Sequence, residues 1–283
     1  MYLEFYGLKE NPFNVTSDPD FLYLSHTHKE ALDHLVYGIG QRKGFIAITG
    51  EIGAGKTTLC RALLNRLDHT NKTSLIFNSK LPETQLLEAI LLDFGITPEK
   101  RSKIEFLKAL NKFLLEQLRS GNNSVLVIDE AQNLSNAALE TVRMLSNLET
   151  QKEKLLQIIL VGQPQLRDKL DSPALEQLRQ RISVRFHIRA LEKEEIPGYI
   201  QHRLHVAGAE NAIEFPEDSI SRIYGYTRGI PRKINLVCDK SLLLGYVHET
   251  RYIARETVER SINEIEGNFE TVKVPYEHNS QGD

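Results

Sequence analysis

Apolar residues follow two alternating patterns through the first two thirds of the chain. Short, continuous runs of β-favouring apolar residues predict buried strands, and stretches with apolar residues every three or four positions predict helices between them. The predicted strands are 45–49, 74–77, 124–128, 156–161 and 184–188. Because these strands are apolar throughout and alternate with helices, the pattern predicts an α/β fold with a parallel sheet covered on both faces.

From about residue 191 the strand pattern stops and only helical spacing remains. The predicted helices of this region are 192–206, 216–226, 231–247 and 255–265. Earlier helices are predicted at 28–38, 58–67, 83–94, 104–119, 136–148 and 173–180. We therefore expect an N-terminal extension at 1–44, an α/β core at 45–190, a small helical domain at 191–266 and a polar tail at 267–283.

A glycine-rich turn connects the first predicted strand to the next helix. Residues 50–57 read Gly-Glu-Ile-Gly-Ala-Gly-Lys-Thr and match G-x-x-x-x-G-K-[ST] at every fixed position. In a strand–turn–helix context this pattern binds phosphate, because glycines let consecutive N–H groups converge on an anion at a helix N-terminus. The predicted phosphate-binding residues are Gly50, Glu51, Ile52, Gly53, Ala54, Gly55, Lys56, Thr57 and Thr58.

Side chains of this turn and of the third strand complete the predicted chemistry. Lys56 is expected to reach the β- and γ-phosphates, and the Thr57 hydroxyl is expected to ligate Mg²⁺. The strand 124–128 ends in Asp129 and Glu130. Adjacent carboxylates repel each other, so such a pair indicates a bound cation or a proton-transfer role. We predict that Asp129 holds Mg²⁺ and that Glu130 activates the attacking water.

Composition and charge are those of an ordinary globular protein. Of 283 residues, 41% are hydrophobic and 26% are charged, and 35 basic against 38 acidic side chains give a net charge of −3. Two cysteines, Cys60 and Cys238, fall in predicted helices and indicate buried thiols in a reducing compartment. No run approaches the ~20 apolar residues that span a bilayer, and the N-terminus lacks a signal-peptide pattern. We expect a soluble, cytoplasmic protein without a transmembrane segment of its own.

Several short motifs point to one protein family. They are Phe5-Tyr-Gly-Leu with Pro12-Phe13 and Tyr23-Leu24, Gly44-Phe45 with the loop at 50–58, Ile128-Asp-Glu-Ala-Gln-Asn-Leu134, Val161-Gly-Gln-Pro-Gln-Leu166 and Gly229-Ile-Pro-Arg-Lys-Ile-Asn235. Together they resemble the AAA+ ATPases, and more narrowly the ATPase domain of the general secretion pathway protein A (ExeA-type) family. The resemblance implies a P-loop NTPase with a three-layer parallel-sheet core and a C-terminal helical lid, which bind ATP and Mg²⁺ between them.

The resemblance assigns roles to three polar residues outside the loop. Gln163 follows the strand at 156–161 and matches sensor 1, whose amide positions water or contacts the γ-phosphate. Asn78 matches a polar residue that holds the catalytic glutamate inactive until a partner binds, although a plain turn asparagine is an equal alternative. Arg232 matches sensor 2, which reaches the γ-phosphate from the lid and makes lid closure depend on nucleotide.

Two arginines end the predicted helix before the last strand. In AAA+ rings an arginine at this point enters the neighbouring subunit's site and offsets charge on the transferred phosphoryl group. Arg181 is the first choice for this role and Arg179 the second. The alternative is that both belong to a solvated basic face.

Three apolar side chains match positions around the adenine base in this family. They are Phe13, Tyr23 and Ile230, and the first two would make 1–44 an adenine-side segment. The alternative is that the aromatic residues are ordinary core.

These residues predict an ATP-hydrolysing AAA+ protein that works as a ring or filament. The resemblance implies a role in assembling a secretion, pilus or polysaccharide-export machine of the cell envelope, at the inner membrane through a membrane-embedded partner. Family members carry a membrane segment and a peptidoglycan-binding part after the ATPase, and the resemblance covers the ATPase part.

Two other classes of protein are considered. One is a DNA-associated AAA+ regulator of transposition type, which would need a basic stripe built from Arg167, Lys169, Arg179, Arg181, Arg185 and Arg189. The other is a scaffold that binds nucleotide without hydrolysing it, and the presence of Glu130 disfavours it.

Overall fold

The computed structural model describes residues 2–77, 80–209 and 213–268. Within these ranges five strands form one sheet. The strands are β1 (Phe45–Gly50), β2 (Asn71–Ile76), β3 (Asn123–Ile128), β4 (Gln157–Gly162) and β5 (Ile182–Ile188). They correspond to the five strands that the apolar runs predict, with ends that differ by at most three residues.

All strand pairs are parallel, and the order across the sheet is β2-β3-β4-β1-β5. Ile76 of β2 is in register with Ile128 of β3, which pairs with Leu160 of β4 and through it with Ala47 of β1. The carboxyl ends of these strands therefore meet at one edge of the sheet, which is where ligands bind in open α/β folds. The loop at 50–55, Asp129 and Gln163 all follow strands at this edge.

The described part of the chain contains twelve α-helices. They are α1 (Tyr2–Tyr6), α2 (His26–Gly40), α3 (Lys56–Arg66), α4 (Glu83–Asp93), α5 (Lys103–Arg119), α6 (Asn136–Leu145), α7 (Pro164–Leu170), α8 (Glu176–Arg179), α9 (Ile196–Val206), α10 (Glu217–Thr227), α11 (Pro231–Val247) and α12 (Arg255–Ile265). Among them, no helix combines the length and apolar character needed to cross a lipid bilayer.

Helices cover both faces of the sheet, as the continuous apolar strands predict. In β3, Leu126 and Ile128 join a cluster with α4, α5 and α6, whereas Val125 and Val127 join a cluster with α2 and α3 on the opposite face. Alternate residues of one strand thus enter two separate apolar layers, because successive side chains point to opposite faces of a sheet. The result is the expected three-layer α/β core with helices after it.

The N-terminal segment packs with the C-terminal helices. Tyr6, Phe13 and Phe21 are buried in one cluster, here called the lid cluster, with apolar residues of α9 to α12. The N–H of Lys9 donates to the carbonyl of Ala207 over 2.8 Å. The segment predicted as 1–44 therefore divides in the structure, because its first part covers the lid helices and α2 covers the sheet. The few apolar residues before α2 do not indicate in the sequence whether they pack on the sheet or on the lid helices.

Candidate functional site

The loop between β1 and α3 closes tightly because of its glycines. Gly53 and Gly55 have φ angles of 81° and 87°, in the left-handed region that other residues avoid. A Cβ on Gly53 would lie 2.5 Å from Cβ of Arg232 in the lid. The loop is therefore both sharply turned and in direct contact with α11.

Lys56, the first residue of α3, turns its side chain back under the loop. It is only 5% exposed. Its ammonium donates to the carbonyls of Gly50 (2.9 Å) and Glu51 (2.8 Å). Burial lowers the pKa of Lys56, and the nearby carboxylates of Glu130 and Asp129 oppose that effect. The charge is thus held at the centre of the loop, facing the carboxyl edge of the sheet.

Thr57 and Asp129 place two oxygens side by side. The Thr57 hydroxyl donates to Asp129 Oδ2 over 2.5 Å, and the Asp129 side chain is buried. Hydroxyl and carboxylate oxygens are the hard ligands that Mg²⁺ prefers, completed by water and substrate phosphates. Among the residues that the structure describes, no group of three or more His, Cys, Asp or Glu could hold a metal ion. The pair fits a magnesium site that is shared with a nucleotide.

Glu130 follows Asp129 in a left-handed conformation, with a φ of 50°. Its N–H donates to Asp129 Oδ1 over 2.8 Å. Its carboxylate oxygen Oε2 accepts from the side-chain amides of Gln163 (2.9 Å) and Gln132 (2.5 Å). The structure thus brings Gln163 to the predicted base from a separate strand.

A cavity of about 260 Å³ lies between the loop, the N-terminal segment and the lid. Lys56, Thr57 and Thr58 at the start of α3 line it, and so does Glu130 after β3. Other lining residues are Val15, Thr16, Ser17, Phe21, Leu22 and Tyr23 of the N-terminal segment, and Leu191, Tyr199, Arg203, Pro231, Arg232 and Asn235 of the lid. One cavity therefore contacts the phosphate loop, Glu130 and the lid together.

The start of α11 is the part of the lid that contacts the loop. The backbone N–H of Arg232 donates to the carbonyl of Gly53 over 3.2 Å, and Arg232 is one of the residues that line the cavity. Of the residues predicted around adenine, Tyr23 lines the cavity, Ile230 caps α11 close to Gly53, and Phe13 lies inside the lid cluster.

Two predicted arginines lie away from this cavity. The Nη1 of Arg181 is 3.5 Å from the Ser146 hydroxyl, and Arg179 is exposed with a 3.9 Å ion pair to Glu176. Neither arginine is among the described residues that line the cavity. Asn78 lies outside the described residues.

His28 contacts the loop, although the sequence analysis does not single it out. It is 2% exposed. Its Nε2 lies 2.9 Å from the Ala54 carbonyl and its Nδ1 lies 2.6 Å from the Ser25 hydroxyl. Because a carbonyl only accepts, Nε2 carries the proton and Nδ1 accepts from Ser25. Burial lowers the pKa of His28, against smaller opposing effects of that carbonyl and of Glu195.

Three lid residues on the cavity wall have no predicted role in the sequence analysis, namely Tyr199, Arg203 and Asn235. The Tyr199 hydroxyl donates to Asn235 Oδ1 over 2.6 Å. The guanidinium of buried Arg203 donates to the carbonyls of Pro12 (2.5 Å) and Asn14 (3.0 Å). The Arg203 contacts tie the N-terminal segment to the lid beside the cavity. Because the partners of these contacts are far apart in the sequence, no local pattern predicts them.

The basic residues from 167 to 189 largely have partners within the chain. Arg185 pairs with Asp171 over 2.8 Å, and this contact is the main reason that the pKa of Asp171 is lowered. Arg167 lies 3.7 Å from Asp168, and the Lys169 ammonium donates to the Gln132 carbonyl over 3.0 Å. Acidic side chains are thus interspersed through the surface that a basic stripe would need.

Comparisons with known proteins agree with this geometry. Residues 39–170 match the family described as AAA domain. The chain is 39% identical over 268 residues to General secretion pathway protein A of Aeromonas hydrophila, covering 94% of this chain and 49% of that protein. An uncharacterized HTH-type transcriptional regulator of Methanocaldococcus jannaschii is 26% identical over 54% of this chain and 38% of its own length. The chain therefore spans about half the length, or less, of these relatives.

Solved structures share the fold at low sequence identity. The ORC2 protein of Aeropyrum pernix, in ADPNP-ADP complexes, superposes with a TM-score of 0.68 at 17% identity over 90% of this chain and 72% of that one. The RuvB Holliday junction branch migration motor of Thermotoga maritima has a TM-score of 0.58 at 16% identity over 85% of this chain and 69% of that one. From the phosphate loop, the sheet order and these similarities together, the chain belongs to the AAA+ family and is a relative of General secretion pathway protein A.

Proposed function

We propose that this chain hydrolyses ATP to ADP and phosphate, with Glu130 as the general base. The observation that carries the proposal is the contact between the Thr57 hydroxyl and the Asp129 carboxylate directly beside Glu130. This contact lies next to the cavity that the phosphate loop and the lid share. The residues proposed to hold the metal, to act as the base and to bind phosphate therefore lie close together within one chain.

Each residue of this group has a defined task. The N–H groups of the loop and the Lys56 ammonium bind the β- and γ-phosphates and neutralise their charge. Thr57 and Asp129 hold Mg²⁺, which would supply charge neutralisation when bound. Glu130 accepts the proton of the water that attacks the γ-phosphorus, and Gln163 orients that carboxylate or the water. Arg232 contacts the γ-phosphate from the lid, so nucleotide binding favours lid closure.

We also propose that the active form is a ring or filament. Arg181, or Arg179 in its place, would enter the neighbouring chain's site and stabilise charge on the transferred phosphoryl group. The support is that neither arginine lines the cavity of its own chain. The Arg181 side chain instead contacts the Ser146 hydroxyl.

The cellular role that we propose is assembly of an envelope machine such as a secretion, pilus or polysaccharide-export system. Its support is the relationship to General secretion pathway protein A over 94% of this chain. The protein would act at the inner membrane through a membrane-embedded partner.

A matched pair of variants tests the hydrolysis. Phosphate release is measured for the wild type and for Glu130→Gln, together with Kd for a fluorescent ATP analogue in the presence of Mg²⁺. Loss of the base predicts a fall in kcat of about 10²-fold or more, with binding retained. Turnover within a few-fold of the wild type would show that Glu130 is not the base. Asp168→Asn, an equivalent change on exposed α7, is the control.

A DNA-associated regulator remains the second candidate, because basic residues do gather on α7, α8 and β5. The acids paired with Arg167, Arg179 and Arg185 weaken it. A shift of duplex DNA by the protein with MgATP, lost steeply as salt rises, would favour this candidate.

A further inference from the structure

The side chain of Gln132 joins the ends of two strands through a single amide. Gln132 lies in a 3₁₀ turn, Ala131–Asn133, that follows β3 and Glu130. Its Nε2 donates to Glu130 Oε2 over 2.5 Å, and its Oε1 accepts from the backbone N–H of Gln163 over 3.1 Å. The same Glu130 oxygen accepts from the Gln163 side chain. The two glutamines and the glutamate therefore form a closed triangle of hydrogen bonds.

The orientation of this amide follows from its partners. A backbone N–H can only donate, so the atom of Gln132 that faces Gln163 N is the oxygen. The NH₂ group is then left facing the Glu130 carboxylate, which can only accept when it is ionised. If the amide were flipped, its NH₂ group would face the N–H of Gln163 and its oxygen would face the Glu130 carboxylate, so neither hydrogen bond could form. The bridge thus has one arrangement that satisfies all three residues.

Neighbouring residues keep this bridge in place. A Cβ on Gly162 would lie 2.6 Å from Oε1 of Gln132, so the last residue of β4 must be glycine for the amide to approach. On the backbone side, Lys169 of α7 donates to the carbonyls of Gln132 (3.0 Å) and Leu134 (2.5 Å). Hydrogen bonds from Lys169 therefore hold the turn after β3 against α7. The Gln132 side chain is held at the end of β4 by the N–H of Gln163.

Glu130 requires such support because of its backbone. Its left-handed φ of 50° is strained for a residue with a side chain, and such strain persists only where the surroundings hold it. The Asp129 carboxylate holds the N–H of Glu130, and the two glutamine amides hold its carboxylate. Backbone and carboxylate are thus fixed at separate points.

We propose that Gln132 is a positioning residue for the hydrolysis reaction: its amide holds the Glu130 carboxylate at a set distance from the backbone of Gln163. This inference rests on the proposed function of Glu130 as the base. Because one amide contacts both residues, a displacement of the backbone at Gln163 moves the donor that orients Glu130. The position of the base is in this way tied to the loop between β4 and α7.

The test uses Gln132→Leu and Gln132→Glu in the full chain. Gln132→Leu removes both hydrogen bonds at similar size, and misplacing a base can lower the rate by about 10²-fold. We expect kcat to fall by about tenfold to a hundredfold, with KM and the Kd of a fluorescent ATP analogue within about twofold of the wild type. Gln165→Leu, the same change at an exposed position of α7, should leave all three values unchanged.

Gln132→Glu separates positioning from packing. The new carboxylate can still accept from the Gln163 N–H, but it faces Glu130 in place of a donor. The variant therefore loses the bond to Glu130 and keeps the bond to the Gln163 N–H, so kcat should fall while KM and the Kd of the ATP analogue stay within about twofold of the wild type. A brace that only supports the fold through Gln163 would leave kcat at the wild-type value. This variant also serves if Gln132→Leu fails to fold.

A double mutant decides between the two roles. In single-turnover measurements, Gln132→Leu should lower the rate little or not at all when Glu130→Gln is already present, because no base remains to be positioned. An equal further loss in that background, or an unchanged kcat for Gln132→Leu alone, would overturn the inference. Wild-type turnover by Glu130→Gln would instead overturn the proposed function, so the two failures are distinguishable.

Discussion

The Thr57 hydroxyl donates a 2.5 Å hydrogen bond to Asp129 across 72 positions of the sequence. Thr57 is the second residue of α3 and Asp129 follows β3, so the contact joins the two motifs that the sequence presents separately. It depends on the strand order, which places the ends of β1 and β3 on either side of β4. The sheet therefore brings the glycine-rich loop and the carboxylate proposed to hold Mg²⁺ together.

Lys56 is expected to be essential for nucleotide binding. Lys56→Ala removes the ammonium from the centre of the loop and should weaken the Kd for MgATP by about 10²-fold or more, because hydrogen bonds to charged groups contribute about 1.5–3 kcal/mol each. Isothermal titration measures the change. Lys112→Ala, on the exposed face of α5, is the control. Wild-type affinity of Lys56→Ala would refute the assignment of the phosphate loop.

Local patterns account for much of this fold. The predicted helices 231–247 and 255–265 coincide with α11 and α12. The apolar strands are found as predicted, because a strand buried on both faces is apolar at every position. By contrast α7, with seven residues, is too short to show a helical period, and the predicted helix at 173–180 is a 3₁₀ turn followed by the short α8.

The candidate site is visible in the sequence only where its chemistry forms a local motif. The loop at 50–57 and the pair Asp129 and Glu130 are continuous segments, and the sequence therefore predicts them. His28 and Gln132 act through contacts with distant backbone atoms, at Ala54 and Gln163. Those contacts depend on the register of the sheet and on the packing of α2, which no single segment encodes.

Gly229 is expected to be required for packing within the lid, where its backbone lies against that of Leu191. It has a φ of 73°, and a Cβ there would lie 1.9 Å from the carbonyl oxygen of Leu191. Gly229→Ala combines backbone strain with a steric clash, so the free energy of unfolding should fall by roughly 2–5 kcal/mol. Urea unfolding measures this value.

Gly225 provides the matched control for that change. It lies within α10, and a Cβ there would meet nothing within 4 Å. Gly225→Ala should raise the free energy of unfolding by up to about 1 kcal/mol, because alanine favours a helix more than glycine does. Similar effects of the two substitutions would contradict the contact between Gly229 and Leu191.

The stability of the protein is expected to depend on the neutral form of His28. Burial is the main cause of its lowered pKa, so the unfolded chain binds a proton more readily than the folded chain. The contribution of neutral His28 to the free energy of unfolding is complete above the pKa of histidine in the unfolded chain, about 6.5. It is lost as the pH falls below that value, by at most about 1.4 kcal/mol per pH unit. Burial lowers the pKa values of His187 and His202 as well, so they add to this slope.

His28→Gln isolates one histidine from this total. Urea unfolding between pH 7 and pH 5 should show a smaller loss of stability with falling pH than in the wild type. A slope equal to that of the wild type would show that His28 does not stay neutral at the phosphate loop.

Arg181 is expected to act on the nucleotide of a neighbouring chain. It follows α8 and contacts Ser146, away from the cavity formed by its own chain. Arg181→Ala should therefore retain ATP binding and lose most of its turnover, by about 10³-fold or more, because the charge on the transferred phosphoryl group loses its stabilising guanidinium. Phosphate release at several protein concentrations measures the effect, because a shared site makes specific activity rise with concentration.

Mixing two inactive variants tests the shared site directly. An assembly of Lys56→Ala with Arg181→Ala contains interfaces where an intact Lys56 of one chain meets an intact Arg181 of the next. Neither variant can form such an interface alone, so the mixture should regain part of the wild-type activity. No recovery in mixtures that demonstrably co-assemble would contradict action in trans. If Arg181→Ala hydrolyses normally and Arg179→Ala does not, the shared site stands and Arg179 is its arginine.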